Sequence, residues 1–305
     1  MNFRPLFVGD DGRLRALWRI VVFSVATFLA LNAAALFVGP IFSGLFSVFG
    51  IRGVSNEYWV QLAGILAGTA ITLRYVDKRP WRDVWLGRDA ARPSLLVMGF
   101  LIGVAAITVP ILGLIGTHWL RSEGGGAGSW AGAALRISLL LLPAAFFEEL
   151  FTRGYILSVL RDAWGWMWAV IATSVGFGLI HLANEGATIA SLSLVMLAGF
   201  FLAGVLYATR SLYAAWMAHF AWNWTMAVVF HTAVSGYPLE SPGYRYVDAG
   251  PDWATGGDWG PEGGVPAGLG MIGGAGLVFL LARRARWITT ASSDARRSAV
   301  NATTE

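Results

Sequence analysis

Cysteine is absent from the 305 residues, so the chain has no disulfide, no thiolate metal ligand and no thiol nucleophile. Charge is nearly as scarce: 13% of residues are charged, against about 25% in a soluble globular chain. With 56% hydrophobic residues and a mean hydropathy of +0.60, this is the composition of a polytopic membrane protein. Lysine is reduced to Lys78 alone. That Arg bias, with abundant Ala and Gly, matches a GC-rich bacterial genome and hence a bacterial plasma membrane. No internal repeat is visible, which weighs against transporters built from duplicated halves. Lipidation signals are missing too: Asn2 stands where myristoylation needs glycine, and no C-terminal cysteine is available for prenylation. The net charge of +4 and pI near 9.7 come from basic residues that flank apolar runs rather than form a patch, so no nucleic-acid partner is expected.

Long apolar runs fill the remainder. A helix needs about 20 apolar residues to cross the hydrocarbon. Eight candidates occur: Leu17–Phe37, Tyr58–Leu73, Leu95–Ile115, Ala131–Phe147 (continuing as helix beyond), Trp166–Leu182, Ile189–Ala208, Leu212–Phe230 and Ala267–Ala282. The fold class is therefore all-α, an integral membrane bundle of about eight transmembrane helices surrounded by lipid bilayer. Arg13, Arg15 and Arg19 before Ile20–Leu31, with Ala33–Ala35 after it, imitate a signal peptide, but seven further spans favour a retained first helix. With both termini cytoplasmic, the inner segments hold 18 of the 22 basic residues, in 1–19, 74–92, 153–161, Arg210 and 283–297. Arg52, Arg121 and Arg245 fall outside, and Arg136 lies just within a helix.

The chain divides into three N-terminal helices (1–130), a helical core (131–231), an extracytoplasmic loop (232–266) and a last helix with a cytoplasmic tail (267–305). Loop 232–266 carries Glu240, Asp248, Asp252, Asp258 and Glu262 among Gly and Pro and reads as poorly ordered. The tail after Arg286 reads as disordered. Tryptophans near span ends (Trp18, Trp59, Trp119, Trp130, Trp166, Trp287) suit interfacial anchoring, and Gly270–Gly274 suits close helix contact inside the bundle.

A few polar residues stand inside the spans, where a charge costs about 2.5–3.5 kcal/mol on insertion scales and is rarely kept without a task. Glu148-Glu149-Leu150-Phe151-Thr152-Arg153 ends the run Ile137–Phe147, and His181 and His219 follow in later helices. Glu148 lies 14 residues before Asp162, and His181 lies 16 after Gly165. At 1.5 Å per residue these offsets are about 21 and 24 Å, so a hairpin turning at 162–165 brings the two to one depth. His219 and Asn223 sit about 12–20 Å into their own span. Glu149 and Arg153, four apart, share a face and can pair, whereas Glu148 points about 100° away. Phe177 and His181 repeat the four-residue spacing, which lets the ring shield the imidazole from lipid. Asn184 and Glu185 fall at a helix end, where a cap or loop role is the default reading and contact with a substrate the lesser one. His118 and His231 fall at span ends and read as interfacial.

Glu-Glu-x-x-x-Arg at 148–153, Phe-x-x-x-His at 177–181 and His-x-x-x-Asn at 219–223 resemble the three ordered motifs of the CPBP family. These are the CAAX prenyl endopeptidase type II and bacteriocin-processing proteins, also called abortive-infection-like. The resemblance covers about residues 131–231, and the three motifs together are specific where each alone is weak. It implies an intramembrane endopeptidase that cleaves a membrane protein or peptide. Glu148 and His181 would activate the hydrolytic water, His219 and Asn223 would stabilise the oxyanion, and Glu149 and Arg153 would support the site. The family is often grouped with metalloproteases, and Glu148, His181 and His219 could bind zinc with one position open. No His-Glu-x-x-His helix is present, so direct glutamate catalysis and a zinc site both stand open. A proton-coupled transporter and a non-catalytic scaffold or immunity protein are the rival functions.

Overall fold

The computed structural model describes residues 6–9 and 12–284, together with the helical backbone of 4–5 and 285–302. The backbone after Arg286, expected to be disordered, runs on as helix to Ala302. The long helices are α1 (Ala16–Val48), α2 (Glu57–Ile71), α3 (Pro93–Gly116), α4 (Trp130–Glu149), α5 (Leu157–Leu179), α6 (Ile189–Thr209), α7 (Leu212–Trp224) and α8 (Val265–Ala302). Among the described residues, six helical stretches are long and apolar enough to cross a bilayer. One of them, Trp130–Leu179, joins α4 to α5 through a π-helical turn at Leu150–Ile156. It breaks at Gly165, where φ is 79° and ψ is 172°. Only glycine adopts that backbone readily. The break folds the stretch into two legs, and α7 with its π turn Thr225–Val229 supplies another, giving eight legs in all.

Two spans run longer than their apolar patterns indicate. The second continues from α2 through a π turn to Asp77, so the short Tyr58–Leu73 becomes a stretch of 21 residues. The first passes through Pro40 to Val48. Helix starts follow from capping hydroxyls. Ser129 accepts from the Gly132 N–H, Thr188 and Ser191 form a reciprocal capping box, and Ser211 accepts from the Ala214 N–H. Helix α7 is central, with eight of its 13 residues buried and none exposed. It meets α3 closely at Gly103, where a Cβ would collide with the Ala218 carbonyl.

The loop 232–266 corrects the expectation of disorder. Strand β2 (Tyr244–Asp248) pairs antiparallel with β1 (Leu120–Gly124), Leu120 opposite Asp248, making a small sheet in an otherwise helical protein. Trp259 is 1% exposed and packs with Phe177 and Val195. Glu262 is buried and bonded three times: to the Trp222 indole N–H at 3.1 Å, and to the Ser235 N–H and hydroxyl at 2.6 Å each. Gly236, at φ 86°, lies so close to Glu185 that a Cβ would collide with its carbonyl. The acids and glycines that suggest a solvated loop thus serve to seat it on the helix ends. His231 also departs from its interfacial reading, being 4% exposed with its ring against Tyr244.

Candidate active site

Helix periodicity separates the two adjacent carboxylates. Glu149 is fully buried, and its Oε1 accepts from both the Arg153 guanidinium and His219 Nδ1, the latter at 2.9 Å. Glu148, one residue earlier, turns toward the cleft and leaves its buried Oε2 without a hydrogen-bond partner. That atom stands 3.9 Å from His181 Nε2 and 3.9 Å from His219 Nε2. The hairpin makes this approach, since Glu148 and His181 are 33 residues apart and an unbroken helix would separate them by about 50 Å. Thr152 Oγ1 donates to the Glu148 carbonyl at 2.6 Å, serving a backbone oxygen where the helix widens into its π turn. Another π turn begins two residues after Asn223, at Thr225–Val229. Such turns are frequent at functional sites.

Both imidazoles are oriented from behind. His181 Nδ1 is 2.7 Å from the Phe177 carbonyl, and His219 Nδ1 faces the Glu149 carboxylate. Each partner can only accept, so each Nδ1 carries a proton and each Nε2 is turned to Glu148. The Phe177 ring packs edge-on to His181 at 4.9 Å and to His219 at 5.8 Å, with the Arg153 guanidinium 4.1 Å above it. One aromatic ring thereby spaces both imidazoles and covers the cation of the buried pair. Asn223 is half-buried and lines the same cleft as Glu148, His181 and His219, a cavity of about 580 Å³.

Every side chain named from the motifs therefore converges on one place: Glu148, His181, His219 and Asn223 at the cleft, and Glu149, Arg153 and Phe177 behind it. Asn184 also lines the cleft and donates to the Ser235 carbonyl at 3.0 Å. Sequence reasoning missed Ser235 and Glu262, which build the outer wall, and Tyr58 and Gln61 of α2, which form its rim. Three tryptophans within or flanking a Gly-rich loop, Trp222, Trp253 and Trp259, are the signal that could have marked it as packed.

Glu148, His181 and His219 are the donors available to a metal. Their chemistry suits zinc, including the acceptors behind each imidazole. Their spacing is wider: tetrahedral zinc ligands at about 2.0–2.1 Å stand about 3.4 Å from one another, against 3.9 Å here. Among the described residues no three His, Asp or Glu side chains stand at metal-holding geometry. A water molecule with two hydrogen bonds of about 2.8 Å at its tetrahedral angle spans about 4.6 Å, so the 3.9 Å spacing lies between the zinc and the water arrangements.

An unpaired carboxylate between two oriented imidazoles, at the end of an open cleft in a helical membrane bundle, is an arrangement chemically suited to activating water. Residues 130–225, about a third of the chain, match the family model described as Type II CAAX prenyl endopeptidase Rce1-like, so this segment is similar to a protease family. No curated protein and no solved structure matches the chain.

Proposed function

We propose that the chain is an intramembrane endopeptidase in the plasma membrane of a bacterium, hydrolysing a peptide bond of a membrane-associated protein or peptide with water activated by Glu148. The observation that carries this reading is the convergence of Glu148 Oε2 with two Nε2 atoms at 3.9 Å. A water held there gives one proton to Glu148, while its second O–H is oriented by the lone pair on His181 Nε2. The oxygen attacks the peptide carbonyl carbon, and the π electrons pass to the carbonyl oxygen. His219, with a proton on each nitrogen in this step, gives one hydrogen bond to Glu149 and one to the oxyanion, and the Asn223 amide supplies another. On collapse the C–N bond breaks and Glu148 returns its proton to the leaving amine. Glu149 and Arg153 are positioning residues, acting through His219.

Purified protein with a peptide library tests this. Glu148→Gln and His181→Ala are expected to lose turnover while remaining folded. A proton relay would lose ion flux instead, and a scaffold would lose neither. Zinc remains the second reading because both imidazoles carry the outer-shell acceptors usual for metal ligands. Water held by protein groups alone predicts that chelation leaves the rate unchanged. Loss of activity on chelation, restored by zinc, would reassign Glu148, His181 and His219 as ligands.

A further inference from the structure

The cleft that reaches Glu148 is open at one end of the bundle and shut at the other. From Glu148 its lining runs to Tyr58 and Gln61 at the start of α2, to Asn184 after α5, and to the segment 234–239. These positions adjoin the connections 49–56, 180–188 and 230–264. No residue of the connections 74–92, 162–165 or 210–211 lines it. Side chains tie that opposite end together, and the separate cavity of about 480 Å³ there, lined by Arg19, Arg79 and Asp162, shares no residue with the cleft. Arg19 donates to both Asp77 oxygens at 2.8 and 2.9 Å, and Arg79 pairs with Asp162. Ser211 Oγ donates to the Ala90 carbonyl at 2.6 Å, and the Arg161 and Arg210 guanidinium groups lie 5.7 and 4.9 Å from the Trp166 ring centroid.

The shut end is also the cationic one: 13 of the 18 basic residues whose side chains are described lie in 13–19, 74–92, Arg161, Arg210 and 283–284. The positive-inside rule assigns that end to the cytoplasm. Around the open end, Glu57, Glu185 and Glu240 are exposed, and the walls combine apolar Leu140, Ala144, Ile180 and Leu239 with polar Gln61, Asn184 and Ser235. We infer that the substrate reaches Glu148 from the extracytoplasmic side, as an extended apolar peptide segment presented at the outer membrane surface. A prenylated tail displayed in the cytoplasm would meet the shut end. Extension is required because a carbonyl inside a helix is already hydrogen-bonded along the axis. This inference rests on the peptidase reading and adds to it the substrate's class and its side of approach.

A chain without cysteine allows single reporters to be placed cleanly. Tyr237→Cys marks the open end, and Asp89→Cys, at a side chain 99% exposed, marks the shut end. In intact bacterial cells a membrane-impermeant maleimide is expected to label Tyr237→Cys, and Asp89→Cys only after permeabilisation. The opposite pattern overturns the inference. A second arm uses single-span reporter proteins carrying one library of apolar segments at either the outer or the inner juxtamembrane position. Cells are expected to cleave only the outer set, and detergent extracts, where sidedness is lost, both sets, in each case abolished by Glu148→Gln. Cleavage of the inner set in cells overturns the side of approach. Failure in detergent overturns the peptidase reading instead, and the labelling pattern still decides which way the cleft faces.

Discussion

Glu148 and Glu149 differ in environment because consecutive helical residues point about 100° apart. Glu149 is locked between Arg153 and His219 with no exposure, whereas Glu148 keeps an unpaired oxygen at the cleft. Breaking a buried ion pair from one side costs about 3–5 kcal/mol, because the other charge is left uncompensated. Glu149→Ala is therefore expected to lower the melting temperature in detergent markedly, together with activity. Glu148→Gln is expected to leave melting unchanged and to reduce the rate by about 10²–10⁴-fold, the usual contribution of a general base. A Glu148→Gln protein that unfolds, or a Glu149→Ala protein of wild-type stability, would reverse the roles assigned to the two. This division was legible in the sequence, since it depends only on the spacing of Glu149 and Arg153. The acceptors behind the imidazoles were half legible: Phe177 lies one turn before His181, but Glu149 lies 70 residues from His219 and only the packed bundle joins them.

At the scale of elements, the hairpin at Gly165 and the seated loop carry the site. Gly165 adopts a backbone open almost only to glycine, and a Cβ there would meet nothing within 4 Å. Gly165→Ala should therefore cost backbone strain alone, about 1–3 kcal/mol, read as a fall in melting temperature with the hairpin retained. Glu262→Ala would leave the Trp222 and Ser235 donors unpaired, at about 1–3 kcal/mol for each buried group. Faster hydrogen exchange in 234–239 and a raised KM are the expected readouts, with unchanged exchange contradicting the seated loop. The same segment is tied to α4 by Arg136, whose N–H donors bond Glu240 and hold its carboxyl below the usual range. A carboxyl so depressed stabilises the fold above the ordinary glutamate range, and its contribution is lost as pH falls through the lowered value. Acid-induced exchange at 238–242 should thus be removed by Glu240→Gln. The hairpin was legible, because Asp162-Ala163-Trp164-Gly165 interrupts two apolar runs. The loop was not, because its order depends on Trp259 and Glu262 finding α7 and on β2 finding β1 about 120 residues away.

Across the whole molecule, apolar runs of sufficient length were enough to read eight helical legs, and arginine placement supplied an expected orientation for them. Which legs touch was not readable, because transmembrane helices associate through shape and polar contacts rather than through an apolar stripe. The bundle places α7 at its centre against α3, α4 and α6, folds α5 back through the hairpin onto α6, and so brings three motifs to one depth. A carboxylate, two imidazoles and an amide then surround a space suited to one water, at the end of a cavity of about 580 Å³. The central claim is that this group makes water the nucleophile. It is tested most directly by cleaving a peptide with purified protein in ¹⁸O-enriched water and weighing the products. The account predicts ¹⁸O in the new carboxylate of each cleaved bond, with no product from Glu148→Gln. Unlabelled product, or equal cleavage by Glu148→Gln, would contradict it.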